Sequence, residues 1–287
     1  MSAARYRIGQ WLASVYRLSL LRLARIVFRN AKEGTILSRK FYHQRLFLDV
    51  SRSSGNQLLW LEGKRYLKEK SLLEQIVRPH MTVLDVGANI GYYALMFVSL
   101  LEGKGHVICL EPDPNNLNEL RRNVTNNSLD HKVTIRPVAA GEFDGSVRFA
   151  AGSNGRVASD GSLTVSVVRI DSLTIKKLDL LKIDVEGYEA SVLKGARETL
   201  KRDRPAIFLE LHPKLLTPDT HEEIIAFLQS RYTAVTAFCP QRGPLLKRIL
   251  RDYSLLPCFS EIEDIRTLPQ AFKTGRITRP CWVVAHS

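Results

Sequence analysis

Met81-Thr-Val-Leu-Asp-Val-Gly-Ala-Asn-Ile-Gly-Tyr-Tyr93 reads as a buried strand that ends in a glycine turn and runs straight into a helix. Met81–Val86 is a short, nearly unbroken apolar run, the pattern of a strand covered on both faces. Gly87 permits the sharp turn, and Gly91 lets the following helix approach closely. The helix itself, Tyr92–Leu101, is strongly apolar.

Outward from this point the same alternation repeats. His106–Leu110 is a second apolar run, followed by a helix from Pro114 with Leu117, Leu120 and Val124 on one face. Val133–Val138, Leu178–Ile183 and Ala206–Leu211 are further runs, and Val192, Leu193, Ala196 and Leu200 mark a helix between the last two. Thr220 with Glu223 is a capping box for a helix through Ile224, Ile225 and Leu228. Thr233–Phe238 and Trp282–Ala285 read as final strands, and Ser146–Phe149 with Leu163–Ile170 as a β-insertion around the turn-rich Gly152–Ser162. Strands alternating with helices predict an α/β fold whose mostly parallel sheet carries helices on both faces. Upstream, Arg45–Val50 is a short strand, Ser51–Asn56 a polar turn cluster, and Tyr66–Val77 a helix stopped by Pro79. The division expected is a basic extension over 1–40 and one domain over 41–287, its core about 60–240.

In an open parallel sheet, ligands bind beyond the carboxyl ends of the strands. Asp85 to Gly91 lies at such an end, and Glu111 ends the next strand, twenty residues after Gly91. A carboxylate there can accept both ribose hydroxyls of a nucleoside. The loop is Gly-Ala-Asn-Ile-Gly and not G-x-G-x-x-G, and bulky Tyr92 and Tyr93 leave little room for a pyrophosphate. Asp85 disfavours phosphate but suits the ammonium of an amino-acid cofactor. The combination points to S-adenosyl-L-methionine and away from NAD.

With these motifs in place the sequence resembles the FkbM family of S-adenosylmethionine-dependent methyltransferases. The resemblance rests on Val83–Tyr92, Glu111-Pro112, Ile170-Asp-Ser-Leu173, Leu181-Lys-Ile-Asp-Val-Glu-Gly-Tyr-Glu189 and Glu210-Leu-His212, and covers about residues 60–213. It implies a Rossmann-like class I methyltransferase fold with a seven-stranded sheet. It also implies O-methylation, often of sugar hydroxyls in glycans or natural products. Carried over by position, Asp85, Gly87, Asn89, Gly91 and Glu111 would hold the cofactor, with Ala88 and Pro112 inside the same two motifs. Asn116 and Asn123 match the family's polar helix after the second strand.

A second constellation follows the later strands. Asp184, Glu186 and Glu189 come after the fourth, and Glu210 and His212 end the fifth. Methyl transfer to a hydroxyl needs in-line geometry and usually a base. His212 suits that task by its pKa, and Asp184 or Glu186 can serve directly or orient it. Lys182 falls on the opposite face from Ile183 and is a weaker candidate. Glu186 and Glu189 can equally cap the next helix, and Asp171 reads as a helix cap. Three carboxylates and a histidine also resemble an oxygen-rich Mg²⁺ site that could bind a diol, but no spacing here is diagnostic of a metal, and none is the first expectation.

The chain has 287 residues, 45% of them hydrophobic, which is enough for a sizeable core. Net charge is +13, and residues 1–32 hold seven of the basic residues and no acid. Within that arm Leu12, Tyr16, Leu20, Leu23 and Val27 form an apolar helical stripe beside Arg22, Arg25 and Arg29. Packing of the stripe on the domain or on a second subunit is the first expectation, peripheral membrane contact through residues 1–32 the second, and a targeting peptide the third. No segment is long and apolar enough to span a membrane, so the expected location is cytoplasmic, including the membrane surface. The acceptor expected is a small molecule or glycan, with homo-oligomerisation left open. A nucleic-acid methyltransferase is the alternative raised by the charge. However, the loop is Asp184-Val-Glu-Gly and not Asn/Asp-Pro-Pro-Tyr/Phe, so no specific nucleic-acid partner is expected. A non-catalytic membrane-surface module is the other alternative. The cysteines at 109, 239, 258 and 281 are widely spaced, which argues against a disulfide framework and for a reducing compartment.

Overall fold

The computed structural model describes residues 22–62, 67–152, 154–240, 259–262, 264–277 and 280–287. These fall into two compact units, one within 1–75 and 240–260, the other within 76–239 and 261–287.

In the smaller unit, β1 (Ile36–Phe41) pairs antiparallel with β2 (Gln44–Asp49) as a self-contained hairpin, followed by helices Ser54–Glu62 and Leu67–Ile76. The first of these begins at Ser54, inside the polar stretch Ser51–Asn56, of which Ser51 and Arg52 form the expected turn. Ser53 accepts from the Asn56 amide at the helix start, so this serine caps the helix. Positions 22–27 are helical, and the rest of the basic arm lies outside the described residues, as does the segment 241–251.

The larger unit carries β3 (Thr82–Val86), β4 (His106–Leu110), β5 (Val133–Arg136), β6 (Ala139–Ala140), β7 (Gly145–Ala150), β8 (Arg156–Val157), β9 (Leu163–Val168), β10 (Leu180–Ile183), β11 (Ala206–Leu211), β12 (Ala234–Pro240) and β14 (Cys281–His286); β13 (Phe259–Ile262) adds an edge strand. The main sheet runs β13-β12-β14-β11-β10-β3-β4-β5. Strands β5, β4, β3, β10 and β11 are parallel, and β14 is antiparallel to both of its neighbours β11 and β12. All four residues of β10 are buried, as the apolar runs require when helices cover both faces. Helix Tyr92–Leu100 buries seven consecutive residues, Tyr92 to Val98, which explains its lack of a polar face. The predicted insertion is a second sheet, β6-β9-β7-β8, closed on Ala139, Phe149, Val165 and Val167.

Two details depart from the sequence expectation. The helix at Pro218–Gln229 is capped by Thr217, whose hydroxyl accepts from the Thr220 amide, so the start lies three residues before the predicted box. Proline fits the first helical position because its missing N–H is not needed there. Cys239 and Cys281 form a disulfide with Cα atoms 4.5 Å apart. Antiparallel pairing of β12 with β14 brings together residues separated by 42 positions, which spacing along the chain cannot reveal, and the argument for a reducing compartment falls with it.

Candidate active site

The glycine loop after β3 is fixed by its own amides. Gly87 and Ala88 N–H donate to the Leu110 carbonyl at 3.0 and 3.1 Å, and Asn89 N–H donates to Glu111 Oε2 at 2.7 Å. Ile90 N–H donates to Asn89 Oδ1, and Gly91 N–H to the Ala88 carbonyl. With these five amides engaged internally the loop is not an anion nest, which agrees with the sequence argument against a dinucleotide. Gly87 has φ +78°, and a Cβ there would stand 1.9 Å from the Asp184 carbonyl oxygen. The loop after β3 therefore presses on the end of β10. Gly91, at φ +86°, would place a Cβ 2.6 Å from Leu120 Cδ1.

Glu111 is only 4% exposed. It accepts from the amides of Asn89 and Asp113 and from Asn116 Nδ2. Burial pushes its carboxyl up to about 7 despite these donors. Half-buried Pro112 separates Glu111 from Asp113, which caps the Pro114–Thr125 helix through the Asn115 and Asn116 amides. Asn123 Nδ2 donates to the Ile90 carbonyl at 2.8 Å and ties that helix to the loop.

Asp85 is placed differently from the sequence expectation. It is fully buried, and the ammonium beside it is the protein's own: Lys182 Nζ lies 3.0 Å from Asp85 Oδ1. The two are register partners on β3 and β10, so their side chains share a sheet face. Burial raises the Asp85 carboxyl, with Lys182 pulling it down. Lys182 also donates to the Gly87 carbonyl at 3.0 Å, lies 3.8 Å from Asp184 Oδ2 and stands 4.8 Å from the Tyr93 ring centroid. Burial alone would lower its pKa, but Asp85 and Asp184 outweigh it and hold the ammonium above the ordinary lysine value.

Beyond β10 and β11 the structure gathers Asp184, Glu186, Glu189, Glu210 and His212. His212 Nε2 lies 3.3 Å from Glu186 Oε2, and Nδ1 lies 3.6 Å from Oε1 of fully buried Glu189. Burial would lower the imidazole pKa, yet Glu189, Asp184 and Glu186 together raise it above the usual histidine value. Burial also raises the Glu186 carboxyl. Donor atoms of Asp184, Glu210 and His212 lie within 4.8 Å of one another, a set that can hold a cation. The cation beside Asp184 in the structure is Lys182.

Several residues that build this region escaped the sequence reading. The insertion reaches both halves: Gly152 N–H donates to Asp113 Oδ2 at 2.9 Å, and the Asn154 amide donates to Glu186. A turn-rich stretch gives no signal for such contacts. Strand alternation, which makes Lys182 the weaker candidate in the sequence, is also what puts it on the face of Asp85. Asp171 proves to be a cap, accepting from the Glu198 and Thr199 amides at the start of helix Arg197–Asp203.

A parallel sheet ordered β5-β4-β3-β10-β11, closed by one antiparallel strand and opening on a glycine turn with an acid at the end of the adjacent strand, defines a class I methyltransferase. The sequence profile of the methyltransferase FkbM domain matches residues 85–233, more than half the chain, and the chain belongs to that family. It is 31% identical over 139 residues to the hexuronic acid methyltransferase AglP of Haloferax volcanii, covering 45% of this chain and 54% of that protein. It is 29% identical over 208 residues to the 2-O-methyltransferase NoeI of Sinorhizobium fredii, covering 62% of this chain and 79% of that one. The chain thus spans about half the length of AglP. Among solved structures, the methyltransferase FkbM from Methylobacillus flagellatus is similar with a TM-score of 0.45 at 18% identity, over 97% of this chain and 62% of that one. M. jannaschii TYW2 in complex with AdoMet gives 0.48 at 14% identity, over 89% and 86%.

Proposed function

We propose that this chain is an S-adenosyl-L-methionine-dependent O-methyltransferase acting on a hydroxyl of a saccharide, glycolipid or related natural product. The observation that carries the reading is the contact between its two halves. Gly87 of the nucleoside loop packs on the backbone of Asp184, the first residue of the His212–Glu186–Glu189 cluster. A methyl donor held by the loop and a hydroxyl held by the cluster would therefore be neighbours.

The donor set fits the cofactor. Glu111 offers a buried carboxylate to ribose hydroxyls, with the Asn116 amide at its side. S-Adenosyl-L-methionine supplies a methyl group on a positively charged sulfur, so the protein has to aim an oxygen and receive its proton. Neutral His212 is the proton acceptor. Glu189 beside Nδ1 and Glu186 beside Nε2 flank the ring and orient it toward the acceptor. Glu186 faces Nε2 and can accept a second hydroxyl of the same sugar. The names of AglP and NoeI, a hexuronic acid methyltransferase and a 2-O-methyltransferase, support a sugar hydroxyl as the acceptor class.

The test is transfer of labelled methyl from S-adenosyl-L-methionine to a panel of hexuronosides and neutral saccharides, followed by linkage analysis of the product. An alkali-stable methyl ether on a ring hydroxyl is expected. Label in a base-labile methyl ester, or only in nucleic acid, would overturn the reading.

A further inference from the structure

The short helix at 22–27 turns the expected apolar stripe outward. Ala24 and Phe28 are the residues that bury, at 0% and 8% exposure, and the Phe28 and Trp60 rings pack T-shaped with centroids 5.7 Å apart. Leu23, Ile26 and Val27 are 46%, 73% and 51% exposed. Among the described residues five large apolar side chains are exposed, and three of them fall in this single turn and a half. At about 100° per residue, Ile26 lies opposite the buried Ala24–Phe28 edge, with Leu23 and Val27 to one side of it and Arg22, Arg25 and Arg29 to the other. All three arginines are exposed.

We propose that this face docks on an anionic lipid surface. A helix anchored from beneath by Ala24 and Phe28, with an outer face half apolar and half arginine, matches the boundary between acyl chains and charged headgroups. The seven basic residues and absent acids of residues 1–32 supply the attraction for acidic lipid. A second copy fits poorly, because a twofold contact would set each arginine row either against its twin or against the partner's apolar row. Nucleic acid fits poorly too, since Leu, Ile and Val offer bases neither stacking nor hydrogen bonds.

Co-sedimentation of the full chain with phosphatidylcholine vesicles, with and without phosphatidylglycerol, tests the proposal. Two variants accompany it: Leu23→Glu/Ile26→Glu/Val27→Glu and Arg22→Gln/Arg25→Gln/Arg29→Gln. The altered side chains are exposed, and unchanged far-ultraviolet circular dichroism verifies that each variant folds. The expected result is binding to the acidic vesicles only, weakened by salt and reduced about tenfold or more in each variant. Absence of binding to acidic vesicles overturns the proposal, and so does undiminished binding by the apolar triple variant. A shift from dimer to monomer in that variant, with no lipid binding by the parent, assigns the face to a second copy instead.

Discussion

Glu111 and Lys182 hold charges where water does not reach, and their energetics dominate the site. Burial raises the Glu111 carboxyl from 4.5 to about 7, so the folded chain binds its proton more readily than the unfolded chain does. The stability this group contributes is full below about pH 4.5 and lost as pH rises through about 7. Cofactor affinity should run the other way, because the ionised carboxylate is the better acceptor for ribose hydroxyls. Titration calorimetry across that range should show tightening with pH, and Glu111→Gln should flatten the profile. His212 has the mirror-image demand: a raised pKa means that the rate climbs only as pH passes above the usual histidine value. His212→Asn should cost roughly 10²- to 10⁴-fold in kcat, read from the methyl-transfer assay. Removing Lys182 alone leaves Asp85 as an uncompensated buried charge, and Lys182→Met should destabilise by roughly 3–5 kcal/mol in denaturant unfolding. Asp85→Asn/Lys182→Met should recover most of that loss. At this scale the sequence named Glu111, Asp184, Glu186 and His212 because ends of parallel strands open on one rim. It did not show the partner of Asp85, because a motif residue at a strand end looks exposed until the neighbouring strand supplies Lys182.

Strand ends are held together by close backbone contact, and glycine makes that contact possible. Replacing Gly87 by alanine would force a Cβ into the Asp184 carbonyl at a left-handed backbone position. The expected cost is roughly 2–5 kcal/mol, measured as a lowered denaturant midpoint, together with loss of cofactor binding. Seven of the eight strands of the main sheet were legible because each is a short apolar run, and the β-insertion was legible from its alternation; β13 was not, because Ser260 and Glu261 interrupt any apolar run there. Helix starts were less so: Thr217-Pro218 and Thr220 both carry capping chemistry, and only the helix axis decides between them. The contacts of Gly152 and Asn154 with the two halves of the site were not legible, since they depend on where the second sheet is docked and not on local pattern.

Across the whole molecule, pairing between distant segments is the information a linear reading lacks. Cys239 and Cys281 lie 42 residues apart and become neighbours only when β14 inserts between β11 and β12. Alkylation of denatured protein followed by intact mass should therefore reveal two further thiols after reduction, and an unchanged count would contradict the bridge. Three of the basic residues acquire a location in the same way: Arg22, Arg25 and Arg29 share the outer face of the described helix with three exposed apolar side chains. The family assignment, the strand order and the buried acid beside the glycine turn converge on one central claim, that the Asp85–Gly91 loop with Glu111 cradles S-adenosyl-L-methionine. Isothermal titration of the full chain with that cofactor tests it most directly. Saturable one-site binding that Glu111→Gln weakens at least tenfold, about 1.4 kcal/mol, is the predicted result. No heat of binding at high micromolar cofactor, or equal affinity in the variant, would contradict it.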